Sequence, residues 1–378
     1  MALIYNYPMS NQIMPQLNVM GFFRSEIGLG QAARNIAYAL ETAIIKSTFV
    51  DIPIPGLSNS KEFSEKCGGY FPNLNNLTVC GLSVLLEKIP VMLKNTGGLG
   101  KKNYLYPYWE LDRIPYEFYE HLVAYDEIFA PSQFIAETFS NFLGKEILTI
   151  PTPVYIPPKL EINHLRGDKL VIFSLLDFGS GNIRKNPKGV LDAFQLAFPS
   201  SITDVELVVK VRGIADGDVY GDSRNLLENY SNNDHRIKVI DKTMDRAQVD
   251  ALMSSCNVYL SMHRSEGFGF GPAEAMARGK IVIATDYGGT KDFVNQSTGF
   301  PIEYKLIPVQ EGQFSYAQNQ LWADPLLESA ASCLREVYEH YDLAIQKATK
   351  GREWLIKNNS FPVIGNLLEA TLRSRGCI

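Results

Sequence analysis

The stretch that most constrains this chain runs from Ser261 to Lys280. An apolar run, Val258-Tyr259-Leu260, predicts a short buried strand. Glu266 follows, and then the loop Gly267-Phe268-Gly269-Phe270-Gly271-Pro272. From about Ala273 the composition turns helical, with Ala273, Ala275, Met276 and Ala277 as good helix formers. Gly279 suits the position just past the helix end. The segment reads as strand, glycine loop, helix.

That arrangement makes an anion site. Alternate glycines let backbone N–H groups approach a ligand, and the helix turns the positive end of its dipole toward the loop. Pro272 suits the first helical turn, where its missing N–H is not needed. Glu266 and Glu274 flank the loop, and carboxylates accept hydrogen bonds from sugar and ribose hydroxyls. The chemistry indicated is a sugar nucleotide. A purely structural account of the same residues has Glu274 complementing the helix dipole and Glu266 capping a turn.

The chain opens with a strand at Leu17 to Phe23, a loop from Arg24 to Gly30, and a helix from about Gln31. Ser47 to Ile52 reads as the next strand, so this is a βαβ opening and a parallel sheet is expected. Gly28-x-Gly30-x-x-Ala33 also satisfies the dinucleotide fingerprint, with Asp51 near the place of the ribose-binding acid. Against it, Arg24 to Ile27 separate the strand from Gly28, whereas in a dinucleotide turn the first glycine follows the strand almost at once. Arg24 and Glu26 are candidates to hold an acceptor sugar, or are solvated loop charges. Residues 53–76 read as a long loop.

Tyr104, Tyr106, Tyr108 and Trp109 lead into Glu110. Aromatic faces stack on sugar rings, and an acid among them suits hydroxyl binding or proton transfer. The same run also describes a buried strand whose end Glu110 caps. Pro151, Pro153, Pro157 and Pro158 mark an interdomain linker. Beyond it, a strand at Leu170 to Leu176 and a helix at Val190 to Phe198 enclose a glycine-containing loop with Arg184, Lys185 and Lys188. Arg184 and Lys185 can neutralise a diphosphate leaving group, or the cluster is a set of exposed loop charges. Asp216-Gly217-Asp218 spells a DxD metal motif but sits in an acidic turn, so no metal is expected. His263 either contacts the donor sugar or caps the strand.

A chain of 378 residues exceeds what one core serves, so two domains are expected. A net charge of −5 argues against generic nucleic-acid binding. The sequence has no membrane-span-length apolar run and no signal-peptide pattern at its start, so a cytoplasmic site is expected. The five cysteines have no metal-ligand spacing and are expected to be reduced. Lys88, Lys94, Lys101 and Lys102 surround an apolar stretch that either touches an anionic membrane surface peripherally or is a solvated loop.

The EGFGFGPAE segment resembles the signature of retaining GT-B glycosyltransferases of family 4. The Trp109-Glu110-Leu111 to Pro115 pattern is similar to a subgroup of that family from bacterial polysaccharide pathways. The resemblance implies an α/β, GT-B fold of two Rossmann-like domains facing across a central cleft. Residues 1–155 would bind the acceptor and 156–358 the nucleotide sugar, with a helix at 359–378 crossing back to the first domain. It implies that Glu266 contacts the donor sugar and Glu274 the ribose. Gly267, Phe268, Gly269, Phe270, Gly271 and His263 would line the donor. Lys185 has the spacing of the family's diphosphate-binding lysine, and Arg184 stands in for an arginine that the family carries earlier in the loop. Glu110 is the acceptor-side catalytic candidate; no histidine occupies that region. Gly28, Gly30, Arg24 and Glu26 fall on the family's glycine loop, near diphosphate and acceptor. The expected reaction moves a sugar from a UDP- or GDP-sugar to a glycan or lipid-linked glycan, without cofactor or metal. Alternatives are an NAD-dependent oxidoreductase or nucleotide-sugar epimerase, and a non-catalytic sugar-nucleotide binding protein.

Overall fold

The computed structural model describes residues 15–54, 61–83, 89, 91, 101–158, 166–212, 221–242 and 244–378. The chain forms two compact units. The first comprises residues up to Trp109, Arg113–Tyr155 and Asn358–Ile378; the second comprises Glu110–Asp112 and Ile156–Lys357.

The first unit holds a six-stranded parallel sheet in the order β2-β1-β3-β4-β5-β6. Its strands are β1 (Leu17–Gly21), β2 (Ser47–Asp51), β3 (Asn75–Gly81), β4 (Asn103–Tyr108), β5 (Glu127–Ala130) and β6 (Leu148–Thr149). Burial is nearly continuous along β1, β3 and β4, as expected for a parallel sheet covered on both faces. The Gly28–Thr42 helix follows β1, starting earlier than the sequence suggested. Gly30 explains the tight entry into this helix: a Cβ there would lie 2.0 Å from the Ser25 carbonyl oxygen. The Phe361–Ser374 helix belongs to this unit and packs on the Gly28–Thr42 helix through Tyr38 and Phe361, whose ring centroids are 5.5 Å apart.

One expectation for this unit needs correction, and one open alternative is decided. The span 53–76 is not one long loop, because it contains a helix at Lys61–Lys66 and the start of β3. Phe63 anchors that short helix, fully buried against Phe23 and Phe49. The aromatics of β4 are a core strand, not a sugar platform. Tyr104, Tyr106, Tyr108 and Trp109 are 1%, 0%, 5% and 3% exposed. Their polar ends are used internally. Tyr106 donates to the Ile150 carbonyl at 2.8 Å and Trp109 Nε1 to the Arg113 carbonyl at 3.0 Å.

The second unit holds another six-stranded parallel sheet, in the order β12-β11-β10-β7-β8-β9. Its strands are β7 (Leu170–Asp177), β8 (Val205–Arg212), β9 (Ile237–Asp241), β10 (Val258–Ser261), β11 (Ile281–Thr285) and β12 (Phe300–Ile302). One face packs into a core with the Pro187–Ala197 and Leu327–Glu339 helices, through Val190, Leu191, Phe194, Ala330 and Leu334. An antiparallel hairpin, β13 (Tyr304–Pro308) and β14 (Leu321–Pro325), forms a sheet of its own. Neither the hairpin nor the Tyr341–Asn359 helix is signalled by the sequence pattern.

Candidate active site

In the second unit β10 leads through a loop to the Phe270–Ala277 helix. The helix starts three residues before the expected Ala273, so the glycine loop proper is shorter. Gly269 is its N-cap, at φ 95°. That conformation favours glycine, and no side chain caps the helix, so its first N–H groups are left to other partners. Gly279 closes the helix in the left-handed region, at φ 69°.

Glu266 stands at the mouth of this loop. Its carboxylate lies 3.1 Å from Arg184 Nη1 and 2.5 Å from Lys185 Nζ. Burial pushes the carboxyl pKa up, but the two cations outweigh it and hold the group well below the usual carboxylate range. Arg184 and Lys185 end the short Asn182–Lys185 helix after β7. Arg184 is deeply set, with a side chain 2% exposed and Nη1 donating to the Ser265 carbonyl at 2.6 Å. Its carbonyl accepts from Arg264 N–H at 2.7 Å. Burial works against the guanidinium charge, and Glu266 and Glu110 more than restore it. Lys185 is more open, with a side chain 18% exposed. Lys188 points elsewhere, pairing with Asp192 at the surface.

Glu274 lies in the first helical turns, buried, with its carboxylate 2.8 Å from Arg246 Nη1. Arg246 opens the Arg246–Ser255 helix, whose N-terminus carries an Asp245/Gln248 capping box. Sequence reasoning missed Arg246 as a functional partner, because nothing local signals the pairing.

His263 is fully buried, and both ring nitrogens are engaged. Nδ1 lies 2.9 Å from Ser261 Oγ; Nε2 lies 3.1 Å from the Tyr287 carbonyl and 3.2 Å from Thr290 Oγ1. A carbonyl can only accept, so Nε2 carries the proton and Nδ1 accepts from Ser261. Burial pulls the ring pKa down to about 4, against the opposing charge of Glu266. The ring ties β10 to the Gly288–Asp292 turn, where Gly289 N–H donates to the Glu266 carbonyl at 2.8 Å. Phe268 is also a core residue, packed on Phe293, while Phe270 is half-buried beside it.

Glu110 falls within this unit, away from the first-domain position expected for it. Its carbonyl accepts a hydrogen bond from Ser265 Oγ, on the residue before Glu266. Asp112 accepts the Leu321 N–H at 2.8 Å.

The first-unit candidates lie together after β1. Glu26 pairs with Arg34 at 3.4 Å, and Arg34 Nη1 donates to the Phe23 and Ser25 carbonyls. Arg24 N–H donates to Asp51 at 2.9 Å, so the would-be ribose acid caps the turn. Gly28 and Gly30 lie inside the helix and not in a loop. Asp216 and Asp218, with Lys88 and Lys94, lie outside the described residues. Lys101 is exposed, and Lys102 donates to the Arg375 carbonyl at 2.5 Å. Among the described residues no group of His, Cys, Asp and Glu side chains gathers as a metal site, and all five cysteines are free.

Residues 161–307 match the family model described as glycosyl transferases group 1. The second unit carries a glycosyltransferase domain. Solved structures resemble almost the whole chain. Anabaena HepE in complex with UDP matches at 14% identity and TM-score 0.68, covering 96% of this chain and 100% of that one. Sucrose-phosphate synthase from Thermosynechococcus elongatus matches at 15% identity and TM-score 0.67, covering 96% and 99%. A glycosyltransferase from Rickettsia africae matches at 14% identity and TM-score 0.66, covering 94% and 97%. The two parallel sheets are therefore those of the GT-B fold. No curated protein sequence matches the chain. No helix among the described residues is long and apolar enough to cross a membrane.

Proposed function

We propose that this glycosyltransferase transfers a sugar from a nucleoside diphosphate sugar, UDP- or GDP-linked, to a glycan or lipid-linked glycan. We assign it to family 4, acting with retention of configuration in cell-surface polysaccharide synthesis. The observation that carries the reading is Glu266 held by Arg184 and Lys185 beside an uncapped helix start at Phe270. Anionic oxygens of a departing diphosphate find the Lys185 ammonium and the helix N–H groups together there. Glu266 accepts hydrogen bonds from donor-sugar hydroxyls. Glu274, steadied by Arg246, accepts from the ribose.

In the reaction the bond from the anomeric carbon to the diphosphate oxygen breaks, with its electron pair leaving on the phosphate. The acceptor oxygen forms the new bond, and its proton passes to that phosphate. Arg184 is too buried to touch the diphosphate, so its part is to fix Glu266. Lys185 and the helix dipole take the charge that a divalent cation neutralises in metal-dependent transferases. Glu110 orients the acceptor hydroxyl. Support for a UDP-sugar comes from HepE, whose structures include UDP and UDP-glucose.

The test is a thermal-shift screen of UDP-, GDP- and ADP-sugars, since a ligand of the native state raises the melting temperature. One nucleotide family should stabilise the protein. Glu274→Ala should weaken that binding, because a charged hydrogen bond to the ribose is worth about 1.5–3 kcal/mol. Full-strength binding by the folded variant would remove Glu274 from the site.

A further inference from the structure

The β13–β14 hairpin forms a sheet of its own in the second unit. Three of its residues reach the network around Glu266. Phe314, in the connecting loop, lays its ring over the Arg184 guanidinium, 5.7 Å from centroid to Cζ. A Cβ on Gly181 would meet the same ring at 3.1 Å, so the ring also presses on the loop that carries Arg184. Asp324 holds Arg264 Nη2 at 3.0 Å, and Arg264 Nη1 reaches back to the Ile183 carbonyl at 2.8 Å. Leu321 N–H holds Asp112, two residues from Glu110.

Arg184 has a demanding position. It is a buried cation ion-paired with Glu266, and its guanidinium must be held in place for Glu266 to be fixed. Ser265 and Glu266 both hold its Nη1. Phe314 turns its ring toward the same guanidinium, within cation–π range, and a guanidinium facing an aromatic ring is a favourable arrangement.

We propose that Phe314 is a positioning residue for the transfer reaction: it locks Arg184 so that Glu266 meets the donor sugar in one orientation. The hairpin is then an accessory element of the donor site. This rests on the donor-site reading above, and the experiment separates the two.

The variants are Phe314→Leu, which keeps volume but loses the π face, Phe314→Tyr, which restores it, and Arg184→Lys as the reference for the site. The probe is UDP-glucose, followed as UDP release. Labelling of Arg184 by phenylglyoxal, read by peptide mass spectrometry, needs no substrate. Phe314→Leu should lower kcat about tenfold, leave donor KM within about twofold and keep Tm. It should also make Arg184 label several-fold faster. Phe314→Tyr should restore both readouts. Unchanged Arg184 labelling in Phe314→Leu overturns the proposal even if UDP-glucose is not the donor. So does a change confined to KM, or a loss shared equally by Leu and Tyr. If Arg184→Lys is fully active on UDP-glucose, it is the donor-site reading that fails, whatever Phe314 does to the labelling rate.

Discussion

Arg184 and Glu266 lie 3.1 Å apart with side chains only 2% and 13% exposed, so each is the other's condition for being buried and charged. Removing one member of such a pair typically costs about 3–5 kcal/mol, because the other is stranded without solvent. Glu266→Ala is therefore expected to lose stability as well as turnover, which makes it a poor probe of chemistry.

Lys185 is the cleaner probe. It shares Glu266 but leaves the Arg184 pair intact when removed. Lys185→Ala should fold normally and lower kcat by about 10²-fold or more, as for other charge-stabilising groups. Lys188→Ala should have wild-type turnover, since its partner is the surface residue Asp192. Equal small effects from both would mean that neither faces the leaving group. EDTA should leave the rate unchanged, and activity restored by Mn²⁺ after its loss would assign the charge neutralisation to a metal.

Glu110→Gln should keep Tm, because the bond that fixes this residue to Ser265 uses its backbone carbonyl and not its carboxylate. Transfer to the acceptor should fall, within the 10²–10⁴ range of about what general-base assistance contributes, while donor binding stays. Wild-type transfer by this variant would leave the carboxylate without a role in the reaction.

His263 sets an acid limit on stability. Its folded-state pKa, near 4, lies below the usual 6.5, so the unfolded chain binds its proton first as pH falls. The neutral-ring contribution is complete above about pH 6.5 and is lost between there and pH 4, on the order of 3 kcal/mol in all. Calorimetric melting from pH 7.5 to 4 should show this loss. The ring resonance of His263 should not titrate in the folded protein until below pH 5; titration near 6.5 would contradict the burial.

Gly30 and Gly28 separate packing from ligand binding. Gly30→Ala drives a Cβ into the Ser25 carbonyl and should destabilise the first unit by about 1–3 kcal/mol. Gly28→Ala meets nothing within 4 Å and should be neutral to slightly stabilising. A Gly30→Ala protein with unchanged Tm but lost acceptor binding would restore the glycine loop as a binding feature.

The chain announced its second sheet well, because β7, β8, β10 and β11 are apolar runs punctuated by glycine and proline. The local setting of Glu266 and Glu274 was legible for the same reason: their neighbours in sequence form the loop and helix that carry them. Arg246 and Phe314 were not, since each acquires its partner only through folding, across 28 residues in the case of Arg246 and Glu274. The Tyr104–Trp109 run was ambiguous in principle. An aromatic strand looks alike whether it faces a sugar or a core, and only burial decides. The short Lys61–Lys66 helix was hidden by its polarity, having one apolar anchor, Phe63.

The first unit is assembled from stretches on either side of the second. The Phe361–Ser374 helix packs on Gly28–Thr42, and Asn75 holds the Cys377 carbonyl at 2.8 Å. On the ribosome, then, β1 through β6 emerge long before the helix that covers one of their partners. The second unit, contiguous but for Glu110–Asp112, is synthesised in between. Domains usually mature in the order in which they are made; here the first unit begins before the second and is completed after it, waiting with one side of its opening helix uncovered until the Phe361–Ser374 helix has been made.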